Sequence, residues 1–472
     1  VKPNVVLILA DDMGYGDFGV FNDGKVKTPT LDRLVDESVC LSQHYSGSPV
    51  CSPARACLLT GRYPHRTGAL TPQEMMGLDR IALREVTVAD VFQQGGYQTG
   101  CFGKWHNGAL DARFHPNARG FDEFVGFCGG WMDYYKGWLD TNGRLQKSDG
   151  RYLTEVLTDG AVDFIHRHHS LPFFLYVPYN APHSPLQAPD TTVQFYEDMG
   201  LSKSVATIYA MIEEMDKGIA RILASLEKKG LTDNTIVMVS SDNGPAFRHR
   251  PDQVAPGVPL ESFRHNCGFK GAKGSVYEGG IRVPMILRWP DGLEGGREVT
   301  ELIHFTDWLP TILEMAGIER KPGLALDGQN VLPILRGERP NEAPRQFWQW
   351  SPYTPPVITS NAAMRDGAWK LVQPQLDIQF STQGGKDLAE RYIDMDIKYK
   401  YEPDKVTLMR DPIPDRIIPE AKVPELYHIG KDPMEEHNLA NVHPDRVSRM
   451  LAALETWFED VETERRALPS VY

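Results

Sequence analysis

Long hydrophobic runs are missing from this chain of 472 residues. No stretch of 18 apolar residues occurs, which excludes a transmembrane helix. The longest strand-like apolar run, residues 5–10, is too short and too near the start to be a signal-peptide core. The sequence opens on Val1 rather than methionine, so a processed or trimmed N-terminus is expected, and any export signal would have gone with it. Cysteine is scarce: six residues, at 40, 51, 57, 101, 128 and 267, with no CxxC pair. That argues against structural zinc and against a disulfide scaffold. Basic charge is in deficit, with 50 Lys and Arg against 63 Asp and Glu, a net charge of −13. A nucleic-acid binder would carry a basic face. An anionic substrate stays open, because the potential in a cleft matters more than the total. Internal repeats and low-complexity tracts are absent as well.

What is present is a globular composition, 41% hydrophobic and 24% charged, on a chain long enough for one large domain with a satellite or for two. Short runs rich in β-branched and aromatic residues, at 5–10, 97–103, 173–177, 235–240 and 283–288, read as buried strands. Amphipathic stretches lie between them, such as 204–229, which stops at Gly230. The alternation predicts an α/β fold, a large, mostly parallel mixed sheet sandwiched by helices. Prolines cluster at 340, 344, 352, 355 and 356 and mark a crossover or linker. Beyond it, 362–372 reads as two strands around Asp366-Gly367. A polar stretch follows, and 448–465 reads as a closing helix. The expected organisation is a large α/β domain over 1–350 and a smaller C-terminal α+β subdomain, with a short antiparallel sheet, over 355–472.

Ligands in open α/β sheets bind at the carboxyl ends of strands, and here those ends carry reactive residues. One strand ends in Asp11-Asp12 and another in Asp242-Asn243-Gly244. A third runs into Lys104-Trp105-His106, and a fourth into Ala181-Pro182-His183. Asp11, Asp12, Asp242 and Asn243 offer only oxygen, a set suited to Ca²⁺ or Mg²⁺. Either pair alone also suits a turn or a helix cap; two pairs at two strand ends favour the metal. Pro53 fits the first turn of a helix and Gly61 its end, which puts Cys51 at a helix N-terminus, where an anion is stabilised. A lone cysteine is usually a small buried hydrophobe, but Pro53 and Arg55 at these offsets point to chemistry. His106 and His183 can move protons near neutral pH. Lys104 and Lys273 can neutralise the oxygens of a tetrahedral anion. The glycines of Gly271-Ala272-Lys273-Gly274 suggest close backbone packing around Lys273.

The stretch Cys51-Ser52-Pro53-Ala54-Arg55-Ala56 with Thr60-Gly61-Arg62 resembles the Cys-x-Pro-x-Arg…Thr-Gly-Arg signature of the formylglycine-dependent type I sulfatases, in the alkaline phosphatase superfamily. Ala54 stands where that family often has serine. Further family-like segments are 4–16, 103–106, 181–189, 241–244, 271–284, 307–317, 364–371 and 425–439, so the likeness runs nearly end to end. It implies that a formylglycine-generating or anaerobic maturation enzyme converts Cys51 to an aldehyde. It also implies a Ca²⁺ (or Mg²⁺) held by Asp11, Asp12, Asp242, Asn243 and residue 51. The aldehyde hydrate would attack sulfur while the metal, Lys104 and Lys273 stabilise the sulfuryl oxygens and Arg55 holds the hydrate. His183 would protonate or hydrogen-bond the leaving alcohol. His106 would take a proton from the second hydroxyl of residue 51 and expel sulfate; the two histidines' roles are open to exchange.

Arg113, His115, Trp131, Asp133, Tyr134 and Tyr135 follow His106, and Arg248, His249, Arg250 and His265 precede Lys273. Such interleaved aromatic and polar residues suit a sugar ring with hydroxyls and further anionic groups; the alternative is a packed core beside a solvated loop. Trp348, Trp350 and Tyr353 near the domain junction are further candidates. By analogy with bacterial members, the expected activity is hydrolysis of a sulfated carbohydrate, in the periplasm or outside the cell. Rival readings are a phosphonate monoester or phosphodiester hydrolase and a catalytically silent glycan-binding protein. The tract His166-Arg167-His168-His169 is expected to end a helix at the surface.

Overall fold

The computed structural model describes residues 2–338 and 344–469. Its centre is a ten-stranded sheet. Five parallel strands form the middle, in the order Thr235–Ser241, Asn4–Ala10, Phe173–Pro178, Gln98–Lys104 and Glu123–Phe127. The strand Met285–Arg288 runs antiparallel beside Thr235–Ser241. Successive residues of the central strand point to opposite faces. Val5, Leu7 and Leu9 enter one core with the helices Cys51–Thr60, Val88–Gln94 and Trp308–Ala316. Val6 and Ile8 enter another with Pro29–Glu37, Leu153–His168 and Lys203–Lys228. Both faces are covered, which is why the strands read as continuous apolar runs. Each such side chain contributes about 1.5–3 kcal/mol by leaving water. The five expected strands and the long helix appear within two residues of their expected limits. Among the described residues no helix is long and apolar enough to cross a membrane. All six cysteines are unpaired.

The C-terminal part builds a four-stranded antiparallel sheet from Arg345–Gln349, Ala362–Asp366, Trp369–Gln373 and Glu425–His428. Gly367 sits at φ 58° in the hairpin turn. The small sheet therefore begins at Arg345, ahead of the expected start at 355. The prolines at 352, 355 and 356 lie in a loop between two of its strands, not between domains; Pro340 lies outside the described residues. The closing helix is Pro444–Arg466, whose Trp457 stacks on Phe347 at 5.2 Å. The stretch read as polar instead forms the helix Gln383–Tyr401. Its buried residues Leu388, Asp396 and Lys400 lie eight and four positions apart on one face, but two of the three are charged, so hydrophobic periodicity does not reveal the helix.

Candidate active site

The parallel strands deliver their ends to one edge of the sheet. Ala10 is paired with Ser241, so Asp11 and Asp242 leave adjacent strands side by side, and the Asp12 amide donates to Asp242 Oδ1 at 3.2 Å. Asp12 holds φ 68° and His106 φ 53°, conformations that L-residues rarely adopt and that concentrate at functional sites. Cys51 opens a ten-residue, wholly buried helix that closes on Gly61 at φ 68°. Its side chain thus meets the unpaired amides and the positive end of the helix.

Around Cys51 the charges interlock. Arg55 donates to Asp242 Oδ2 through Nε at 3.0 Å and Nη2 at 2.8 Å, and to the Lys104 carbonyl at 3.0 Å. Lys104 Nζ donates to Asp11 Oδ2 at 2.7 Å. Lys273 Nζ lies 2.7 Å from Asp12 Oδ1, and His183 Nε2 lies 3.7 Å from Asp12 Oδ2. Burial and the neighbouring Asp242 push the Asp11 carboxyl up to about 7. Burial opposes ionisation of Asp12 too, but Lys273 and His183 hold it well below the carboxylate range. Against its burial, Lys104 and Lys273 bring the Cys51 thiol down to about 5. His183 is lowered by burial and by Lys273. His106 is raised to about 9: burial and Lys104 oppose protonation, but the Cys51 thiol and Glu74 outweigh them. Cys51 raises both histidines, so converting it removes one of the groups that raise His106, leaving Glu74, and leaves His183 lowered by burial and Lys273.

One ligand atom from each of Asp11, Asp12, Cys51 and His183 lies within 4.8 Å of the other three. Asp11 Oδ1 and Asn243 Oδ1 are buried without a hydrogen-bond partner. Buried oxygens are rarely left so, and a hard cation is the partner that would satisfy both. The residues present fit Ca²⁺ or Mg²⁺. Cys51, His106, His183 and Lys273 face a cleft of about 270 Å³.

Residues 3–318 match the family model "Sulfatase", and residues 270–383 match "N-sulphoglucosamine sulphohydrolase, C-terminal". The chain belongs to the sulfatase family. It is a sulfuric ester hydrolase. It is 34% identical over 368 residues to N-acetylgalactosamine-6-sulfatase of Mus musculus, covering 71% of this chain and 67% of that one. It is 31% identical over 421 residues to steryl-sulfatase of Mus musculus, covering 71% and 65%. The chain thus spans about two thirds of the length of these relatives. The solved structure of Ps i-CgsB in complex with k-i-k-neocarrahexaose superposes with a TM-score of 0.79 at 27% identity, over 97% of this chain and 93% of that one.

Of the residues expected to touch substrate, this sulfatase places two on the cleft, Trp131 and Arg250. Trp131 Nε1 donates to Asp396 Oδ2 at 2.8 Å. Arg250 reaches Asp252 at 2.9 Å and Asp396 at 3.4 Å. The others stand elsewhere. Arg113 is exposed and paired with Asp111. His115 sits on Asp140 at 3.1 Å, edge-on to Phe124. Asp133 is occupied by the Tyr135 and Lys136 amides, Gln187 and the Tyr401 hydroxyl. Tyr134 is buried and donates to the carbonyls of Asn180 and His183, so it braces the His183 loop from behind. Tyr135 packs on Tyr152. Arg248 is exposed 3.9 Å from Glu261, His249 bonds Ser262, and His265 is exposed beside Gly16. Spacing along the chain brought these residues near the site; their local partners turned them away from it. Trp348 is core, donating to the Ser46 carbonyl, and Trp350 packs near Gly274. The tract at 166–169 does end a surface helix, with Arg167 and His168 on Glu123.

Sequence reasoning missed Glu74, Gln73, Tyr392 and Asp396, which also line the cleft. Glu74 lies 3.6 Å from His106 Nε2 and accepts from the Gly130 amide at 2.9 Å and the Tyr392 hydroxyl at 3.1 Å. Lys400, wholly buried, bridges Glu74 and Asp396. The four-residue spacing of Tyr392, Asp396 and Lys400 was the one signal available.

Proposed function

We propose that this protein hydrolyses a sulfate ester of a sugar, through formylglycine at position 51 and a bound calcium ion. The observation that carries the reading is the cluster of Cys51 with Asp11, Asp12 and His183 at a helix N-terminus, beside two unpartnered buried oxygens. Asp11, Asp12, Asp242, Asn243 and residue 51 would hold the cation, which supplies positive charge for the sulfuryl oxygens. As an aldehyde hydrate, residue 51 supplies one hydroxyl as nucleophile and a second through which sulfate is released.

The remaining work falls to this chain's own residues. Lys104 and Lys273 are fixed on opposite carboxylates and present positive charge where a sulfuryl group would lie. Arg55 holds Asp242 and the Lys104 backbone in place beneath residue 51. His183, at the cleft wall beside Lys273, protonates or hydrogen-bonds the leaving alcohol. His106 removes the proton of the second hydroxyl, and the Glu74 carboxylate behind it stabilises the imidazolium that results. We place the protein outside the cytoplasm, because sulfated glycans do not cross membranes unaided.

The test begins with peptide mass spectrometry across residue 51 after co-expression with a formylglycine-generating enzyme. Conversion of thiol to aldehyde removes about 18 Da. The converted, calcium-loaded protein is then assayed on 6-sulfated N-acetylgalactosamine and on a phosphonate monoester. Faster release of sulfate is expected. Faster phosphonate hydrolysis assigns the sister activity, and no turnover of either by fully converted protein overturns the sugar-sulfate reading.

A further inference from the structure

A second trough, also about 270 Å³, opens beside the active-site cleft and shares Gln73 and Tyr392 with it. Its walls come from both sides of the molecule: Met76 from the catalytic part, Tyr353 and Phe380 from the C-terminal part, and Leu388 and Ile393 from the helix Gln383–Tyr401. Tyr353 and Phe380 stand edge to face with centroids 4.9 Å apart. None of the twelve residues lining the trough carries a charge. Ile393 and Ile413 are 37% and 47% exposed there, apolar surface that a ligand would cover.

We propose that this trough binds the uncharged sugar ring adjacent to the sulfated one. The inference rests on the sugar-sulfate reading above and narrows its substrate class to neutral, singly sulfated oligosaccharides. The C–H face of a pyranose suits Tyr353 and the aliphatic wall, and its hydroxyls meet the Gln73 amide and the Thr354 and Tyr392 hydroxyls. A uronate or a second sulfate would lose its water against an uncharged lining; the neighbouring Arg416, paired with Phe380, is not part of that lining and donates to the Pro355 carbonyl. Continuity through Gln73 and Tyr392 sets the order of rings: sulfate at residue 51, its own sugar in the cleft, the neighbour in the trough.

The experiment compares kcat/KM of the converted protein on a sulfated monosaccharide, a disaccharide with a neutral second ring, one with a uronate second ring, and a steroid sulfate. The neutral disaccharide is expected to exceed the monosaccharide by about tenfold, the scale of one well-packed ring contact. That ratio falls to about one in Tyr353→Ala and in Phe380→Ala, measured separately so that one misfolded variant does not decide the outcome. A uronate disaccharide equal to the neutral one, a ratio unchanged in both variants, or a steroid sulfate preferred and lost on Tyr353→Ala each overturns the proposal. If no sulfate ester is turned over, saturation-transfer NMR with the unsulfated neutral disaccharide separates the two readings. Transfer lost in Tyr353→Ala keeps the trough while the sugar-sulfate reading fails, whereas absence of transfer fails both.

Discussion

Replacing Lys370 with methionine removes the cation between two buried carboxylates. Lys370 Nζ lies 2.9 Å from Glu278 Oε1 and 2.9 Å from Glu435 Oε1, and all three side chains are shut off from water. Glu278 keeps Arg282 at 3.4 Å and the Tyr45 hydroxyl at 2.7 Å; among the described residues Glu435 keeps the Glu278 backbone amide at 2.7 Å. Stranding a buried charge costs about 3–5 kcal/mol, and urea unfolding at pH 8 should show that loss with an unchanged m-value. The sign of the pH dependence follows from Glu435. Burial and Glu278 already raise it to about 7 in the folded protein, above its ordinary 4.5, and removing Lys370 raises it further. The variant's folded state therefore takes up the proton at a higher pH than the parent does, so the deficit is full only above the variant's own raised pKa, shrinks as pH falls from there to about 7, and is constant below, where both folded forms are protonated. Adding Glu435→Gln should restore most of the stability at pH 8. Because Glu278 opens the short helix Glu278–Ile281 that follows the Lys273 loop, and Gly279 donates to the Lys270 carbonyl at 2.7 Å, kcat/KM should fall by about tenfold as Lys273 is displaced. A deficit below about 1 kcal/mol, or one of equal size at pH 5.5 and pH 8, would refute the reasoning.

Three further outcomes are expected. Asp11 must lose its proton to bind a cation, and it sits near 7 in the ion-free protein; calcium affinity by titration calorimetry should therefore rise from pH 6 to 8 and level off above, and a flat profile would count against Asp11 as a ligand. Arg55→Lys keeps the charge but cannot span Asp242 and the Lys104 carbonyl together, so sulfate release should drop at least about a hundredfold with about 3 kcal/mol lost from stability; near-normal turnover would contradict the positioning role. Trp457→Ala, which removes the ring packed between Phe347, Tyr63 and His65, should cost about 3–5 kcal/mol and loosen the closing helix in hydrogen exchange; unchanged protection of Pro444–Arg466 would show the helix is held elsewhere.

The sequence by itself determined the sheet and the chemistry at its edge. Strands buried on both faces must be continuously apolar, and a polar residue at the end of such a run has one place to go, so Asp11, Lys104, His183 and Asp242 were legible as a group before any fold was known. Cys51, Pro53 and Gly61 were legible because helix starts and stops are local and each constrains a single residue type. Tertiary structure alone decided which polar residues outside those runs reach the cleft. Arg113, His115 and His249 lie close in sequence to the site but are captured by Asp111, Asp140 and Ser262. Glu74 reaches His106 and is joined by Lys400, 326 residues away. A pairing across that distance leaves no periodic trace, since it depends on where a C-terminal helix docks, and docking is set by summed apolar contacts rather than by the polar residues it brings along.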